Sequence, residues 1–363
     1  MKRNIYLKTI PPAEAVARVK ASIDREALIR EETIPSHEAS GRVLAHAVHA
    51  RYSSPTFHSA AMDGYAVNAR STFAAREGHP LTLKAGETCF AVNTGHPMPE
   101  GCDAVIMIEQ VVLDGGSVTI EAPAFPWQHV RRIGEDIVAT ELLFPRNHQL
   151  RPWDVGALLS GGIWDVPVWE RVTVRIIPTG DEVLDFTTHP DPGKGQVVES
   201  NSQMLAALAR ELGCVVERAA PVPDNPEALH QALKDSLDAG RHLTIFCAGS
   251  SAGSKDFTRA TLEKEGEILT HGIAAMPGKP SLLANCRGRL VAGAPGYPVS
   301  ALVCFKELLE PLISWLSHRE PPAKTVVPVE LTRTVPSRPG VEEHVRVSIG
   351  RVGDKLVATP LGR

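Results

Sequence analysis

At 363 residues the chain is too long for one ordinary hydrophobic core, so two or more domains are expected. Its 43% hydrophobic and 22% charged content is that of a globular protein and excludes a disordered or fibrous one. With 38 basic against 42 acidic residues the formal net charge is −4, which offers no general field for nucleic acid or an anionic membrane, so any anion site must be local.

The N-terminal stretch has early charges but no apolar segment of signal-peptide length, and no run reaches membrane-spanning length. Six cysteines, Cys89, Cys102, Cys214, Cys247, Cys286 and Cys304, are scattered without a C-x-x-C pair. Buried or free thiols therefore fit better than a disulfide framework or a zinc site, and a cytoplasmic location is expected, with no nucleic-acid or membrane partner.

In chain order, residues 12–34 suggest one or two helices, because Ala15, Val16, Val19 and Ile23 share a face. Residues 45–145 hold short apolar runs broken by Gly and Pro, the pattern of a small β domain. Within it, "SAAMDGYAV" reads as a strand interrupted by Asp63 and Gly64, two residue types that a strand interior disfavours; a β-bulge beside a turn is the plain local explanation. From about Arg171 to His318 strands alternate with helices. "RVTVRII" is a buried strand, and "NSQMLAALARELG" is a helix capped by Asn201 or Ser202, with Leu205, Leu208 and Leu212 on one face. "CVVERAAPV" is a second strand, and "DNPEALHQALKDSLDAG" a second helix with Pro226 in its first turn and Leu229, Leu233 and Leu237 in register. "HLTIFCAG" is a third strand, a helix opens near Asp256, a hairpin runs through "SLLANCRGRLVAGA", and a long helix spans Val299 to Ser317. This order predicts a doubly wound, mostly parallel α/β sheet. Beyond Pro322 the pattern is again β.

Ligands of such a sheet bind outside the carboxyl ends of its strands. The loops that fall there are "PTGDE", "PDN", "AGSSAGSKD", "MPGKP" and "GAPGYPVSA". They carry Asp181, Glu182 and Asp256 among Gly, Ser and Lys residues. Gly249, Ser250, Ser251 and Gly253 suit close backbone approach to an anion before a helix, Pro298 to Ser300 opens the last helix in the same way, and Lys255 and Lys279 supply charge. The acids imply Mg²⁺ or a general base for water. "TGDE" or "PGKP" alone is more often a turn or loop than a site, and "AGSSAGSKD" alone is as much a plain helix entry as an anion cradle; together on one sheet edge the loops indicate a site for an anionic ligand of phosphate character.

The segments "SAAMDGYAV", "NTG…PEGCDAVIMIE", "RRIGEDI", "PTGDEV", "ESNSQML", "GSSAGSKDF", "PGKP" and "APGYPVSAL" occur in order over nearly the whole chain. In this the sequence resembles the molybdopterin molybdenumtransferase family, the MoeA and gephyrin E-domain class. The resemblance implies a homodimer of multidomain α/β subunits. Residues 1–48 with 141–170 would form a connecting N-terminal domain, 49–140 an inserted β domain, 171–320 the doubly wound molybdopterin-binding domain, and 325–363 a C-terminal β-barrel that stops short of completion.

The resemblance further implies insertion of molybdate, or tungstate, into adenylylated molybdopterin with release of AMP, assisted by Mg²⁺. By motif, Asp63, Thr94 and Asp136 would line a cleft from one subunit. Glu182, Asp224 and Asp256 would line it from the other, with Lys279, Pro295, Pro298, Ser300 and Arg346 on the substrate. Glu182 or Asp256 would hold the metal. A molybdopterin adenylyltransferase and molybdoenzyme apoproteins or their chaperones are the implied partners. Two positions depart from the family pattern: Met276 replaces a lysine, and Tyr297 stands where Asn is common. A stand-alone adenylyltransferase and a non-catalytic scaffold are the competing readings.

Overall fold

The computed structural model describes residues 9–247 and 257–361. The chain divides into two compact units, one spanning Thr33–Val168 and the other combining the segment through Glu32 with that from Trp169 onward.

The second unit is built on a six-stranded sheet. Its strands are Thr173–Pro178 (β1), Val215–Arg218 (β2), Leu243–Cys247 (β3), Gly266–His271 (β4), Leu282–Cys286 (β5) and Arg289–Ala294 (β6), in the order β2-β1-β3-β6-β5-β4. The first four in that order run parallel, and β5 is antiparallel to both its neighbours, β6 and β4. Every residue of β3 is buried, as a central strand covered on both faces requires, whereas Val215 of the edge strand β2 is 50% exposed. The hairpin between β5 and β6 turns through Arg287 and Gly288, both at positive φ, with Asn285 Oδ1 accepting the Gly288 N–H at 2.9 Å.

The helix Pro226–Asp238 is capped by Asn225, whose Oδ1 accepts the N–H groups of Glu227 and Ala228, and it buries Leu229, Leu233 and Leu237 in the expected register. The helix Asn201–Glu211 is capped differently from expectation. Ser200 holds the N-cap position without a side-chain bond, and Glu199 Oε1 accepts the Ser202 N–H at 2.7 Å. Asn201 already lies inside the first turn, so its amide reaches sideways to the Gly296 carbonyl at 2.7 Å. The last helix runs from Pro298 to Leu316, and a π-helical turn at Phe305–Leu309 interrupts its α-helical register.

The helix Pro12–Ser22 buries Ala15 and Val19. It packs against β4, β5 and the last helix of the α/β unit. Ile10 bridges Ile273, and Asn285 Nδ2 donates to the Ser22 carbonyl. Near the other end of the chain, Glu330–Leu331, Val347–Val352 and Lys355–Pro360 form a three-stranded sheet, and Glu342–Glu343 pairs in parallel with Ala275–Met276.

The unit Thr33–Val168 contains distinct apolar cores. Leu44, Leu150, Leu158 and Val166 belong to one, and Val67, Leu83, Ile106 and Ile120 to another. The segment read as one interrupted strand is two. Ser59–Ala60 pairs with Val130–Arg131, and Gly64–Val67 is the centre of a different sheet between Cys89–Val92 and Ala104–Met107. No register shift occurs in the latter ladder, so the bulge explanation fails. Asp63 sits where the chain bends from one sheet into the next.

Candidate functional site

Two surfaces, one in each unit, carry the residues singled out in the sequence. In the unit Thr33–Val168, Asp63 is exposed and its carboxylate is engaged. Oδ1 accepts both the Thr94 backbone N–H at 2.7 Å and the Thr94 hydroxyl at 3.0 Å. The backbone bond first, and the hydroxyl second, hold the Asp63 carboxyl below its ordinary value. Gly64 makes the bend possible by close approach, because a Cβ there would lie 1.9 Å from the Ile106 carbonyl oxygen. The turn carrying Thr94 is tied to the same segment by Gly95 N–H to the Ala60 carbonyl, and the loop carrying Asp136 by its own N–H to the Ser54 carbonyl. Asp63 and Thr94 are therefore brought into contact, and Asp136 is anchored to the chain that leads to them. Asp103 has a structural task, accepting the Ala69 N–H at 2.7 Å.

In the α/β unit a cleft of ≈ 650 Å³ opens at the carboxyl ends of β1, β3 and β6. Glu182, Pro295, Pro298 and Ser300 line it, together with Glu199, Ser200, Asn201 and Tyr297. The loops at its rim interlock. Thr179 N–H donates to Cys247 O, Gly180 N–H to Val222 O, and Asp224 N–H to Asp181 Oδ1. Asp181 thus ties the first loop to the second, leaving Glu182 as the acid of that loop that faces the cleft. The Glu182 carboxylate folds over Gly180, where any side chain would collide with it and with Val183.

Behind the cleft wall, Arg218 reaches Asp185 at 3.1 and 3.3 Å and the Ser202 hydroxyl at 3.0 Å. The Thr187 N–H and this guanidinium keep the Asp185 carboxyl below its ordinary value. Cys247, which also lines the cleft, has its thiol pushed well up by burial and is a packing residue, not a nucleophile. The cysteines are unpaired, as expected for a chain without a disulfide framework.

Lys279 lies on the loop between β4 and β5 that also contributes Pro280 to the cleft. Its carbonyl accepts the Ile273 N–H, while Gly278 O accepts both the N–H and the hydroxyl of Ser281, so the backbone is pinned and the ammonium is left exposed. Arg346 precedes the strand Val347–Val352 and does not line the cleft; its carbonyl accepts the Leu361 N–H. Asp256, with Gly249, Ser250, Ser251, Gly253 and Lys255, lies outside the described residues.

Sequence reasoning had placed Asn201 as a cap and had given Glu199, Ser200 and Tyr297 no site role. The signal available was position, since Glu199 to Asn201 open a helix at the carboxyl edge of the sheet. Among the described residues no group of three or more His, Cys, Asp or Glu side chains is arranged to hold a metal ion, and no helix is long and apolar enough to cross a membrane.

An α/β sheet with a cleft at the carboxyl ends of its strands, in a chain whose β unit presents a pre-set carboxylate, defines the class of the protein, and comparison narrows it. The MoeA N-terminal region (domain I and II) matches residues 10–162, and the family described as a probable molybdopterin binding domain matches residues 175–315. The chain is 34% identical to the molybdopterin molybdenumtransferase of Haemophilus influenzae over 80% of its own length and 74% of that protein's. Against molybdopterin molybdenumtransferase 2 of Mycobacterium tuberculosis H37Rv it is 34% identical over 78% of its length and 74% of the relative's. The crystal structure of the molybdopterin biosynthesis MoeA protein from Pyrococcus horikosii superposes with a TM-score of 0.78 at 28% identity, covering 98% of this chain and 90% of that one. The chain belongs to the molybdopterin molybdenumtransferase family.

Proposed function

We propose that the protein acts in molybdenum cofactor biosynthesis as a transferase, inserting molybdate into adenylylated molybdopterin and releasing AMP. The observation that carries this reading is the cleft at the carboxyl edge of the sheet. It combines a helix entry at Pro298 to Ser300, suited to a phosphate, with polar groups from Thr179, Ser200 and Asn201 suited to a pterin ring.

The donor set fits Mg²⁺ in the way that ion is usually held, by one or two carboxylates together with substrate phosphates. Glu182 and Asp224 stand on interlocked loops at the rim, and Asp256 joins them by motif. When bound, the ion would neutralise charge on the phosphoanhydride. Lys279 offers an exposed ammonium to the incoming oxyanion from a fixed backbone. Asp63, held ionised by Thr94, acts as a hydrogen-bond acceptor and not as a proton donor at neutral pH. Asp136 and Arg346 keep substrate-binding roles by motif.

In this reading the protein is a cytoplasmic homodimer in which the Asp63 surface of one copy faces the Glu182 cleft of the other. It receives the pterin nucleotide from an adenylyltransferase and passes the product to molybdoenzymes. Exposed Phe57, Met62, Trp127 and Ile133, on segments next to Asp63 or hydrogen-bonded to its neighbours, give that surface apolar area to bury.

The test is AMP release from adenylylated molybdopterin by the purified chain, expected only when molybdate and Mg²⁺ are both present. Mixing Asp63→Ala and Glu182→Ala chains should then restore a fraction of the activity that each lacks alone. No AMP release overturns the activity, and a mixture no better than its components overturns the shared cleft.

A further inference from the structure

The loop between β4 and β5 carries Met276, Gly278 and Lys279, and the C-terminal segment is tied to this loop. Glu342–Glu343 pairs with Ala275–Met276, and the His344 N–H donates to the Met276 carbonyl at 2.8 Å. From the same segment Arg338 reaches back across Met276, its Nη1 3.9 Å from the Met276 sulfur. A thioether is a weak acceptor and uses little of a guanidinium's donor capacity. The other contact, Nε to Glu343 Oε1, is long at 4.0 Å, and the Arg338 side chain is 63% exposed. Most of the fork thus points to solvent beside the loop that presents Lys279.

Arg338 also carries charge to a place where the loop itself has none. Met276 is apolar, so Lys279 alone would face a dianion from this loop. A guanidinium fork suits two oxygens of a tetrahedral oxyanion better than an ammonium does.

We propose that Arg338, reaching over Met276, supplies the second cationic contact of the molybdate subsite and sets the protein's affinity for the oxyanion. The proposal rests on the molybdenumtransferase reading above. The competing role is structural, with Arg338 only holding the C-terminal segment through Glu343.

The experiment measures the half-saturating molybdate concentration for AMP release, and separately the binding of the pterin nucleotide without molybdate, in the full chain. Arg338→Ala and Arg338→Gln should raise half-saturating molybdate by roughly tenfold or more, the scale of one charge-assisted hydrogen bond, and leave nucleotide affinity unchanged. Arg338→Lys should recover part of the loss, and adding Met276→Lys to Arg338→Ala should recover most of it, because it returns a charge to the same place. An unchanged molybdate requirement in both neutral variants overturns the proposal. So does equal weakening of nucleotide binding, or failure of Met276→Lys to rescue, since both mark a structural role. If the parent chain releases no AMP at any molybdate concentration, the functional reading itself falls and this inference falls with it.

Discussion

Asp63, next to Gly64, and Glu182, two residues after Gly180, are both exposed acids, and the fold treats them in opposite ways. Asp63 is saturated from one side by the Thr94 N–H and hydroxyl, so its position and its ionisation are set before any ligand arrives. Among the described residues the Glu182 carboxylate takes no hydrogen bond; only its backbone is fixed, by Val197 N–H to the Glu182 carbonyl. The glycines differ in the same sense. Gly64 is hemmed in by the backbone of a neighbouring strand, whereas Gly180 is covered by two movable side chains. One acid is a pre-set acceptor whose geometry is part of the fold. The other is a carboxylate left free to take a cation.

The largest expected effect separates the two glycines. In Gly64→Ala the methyl would fall on the Ile106 carbonyl oxygen, in the middle of a sheet paired on both sides, so the strands must part. A loss of about 3 kcal/mol or more is expected in urea unfolding. Gly180→Ala meets Val183 and Glu182 side-chain atoms that can turn away, though φ of 137° remains unfavourable for alanine. Its cost should be nearer ~1 kcal/mol. Equal losses would show that the two loops do not differ in rigidity.

The next effect separates the two acids. Glu182→Gln should lower AMP release by roughly a hundredfold at limiting Mg²⁺, and raising Mg²⁺ should recover part of it, because a weaker ligand is offset by mass action. Asp63→Asn should also lose activity, but with no recovery at any Mg²⁺ concentration. A Mg²⁺-insensitive Glu182→Gln would remove the ligand role.

How much of this the sequence could reveal depends on the distance between interacting residues. The helix Pro226–Asp238 was legible because its first-turn proline and its three buried leucines all lie within one short segment. The strand β3 was legible because burial on both faces demands an unbroken apolar run. "SAAMDGYAV" misled because apolar residues on both sides of Asp63 and Gly64 read as one strand, while the two halves belong to different sheets and the acid marks the passage between them. Arg218 joins Asp185 and Ser202, and Arg338 reaches Met276 across 62 positions; no local pattern announces such pairs. Glu199 was passed over because a glutamate one residue before the N-cap is not the usual capping type. The residues on the sheet-edge loops were reached by the order of the motifs, and the structure adds which of them are committed to holding loops together, as Asp181 is, and which have side chains without a hydrogen bond among the described residues, as Lys279 and Glu182 do.

The smallest effect is the sharpest probe of the pre-set acid. Thr94→Val removes the hydroxyl bond to Asp63 Oδ1 and leaves the backbone N–H bond, which is the larger cause of the lowered value. The folded Asp63 carboxyl lies below its ordinary 3.8, so the fold favours the ionised form. That contribution is complete above pH 3.8 and is lost as pH falls through the folded value. In Thr94→Val the folded value should rise part of the way toward 3.8 and no further, because the N–H still donates. At neutral pH the carboxylate stays ionised in both proteins, so any loss of activity there reports misplacement of Asp63 and not its protonation. Titration of the Asp63 carboxyl carbon by NMR in parent and variant would read the shift directly. A midpoint identical to the parent's would mean that the hydroxyl contributes nothing, and that the backbone of the Thr94 turn alone holds the acid in place.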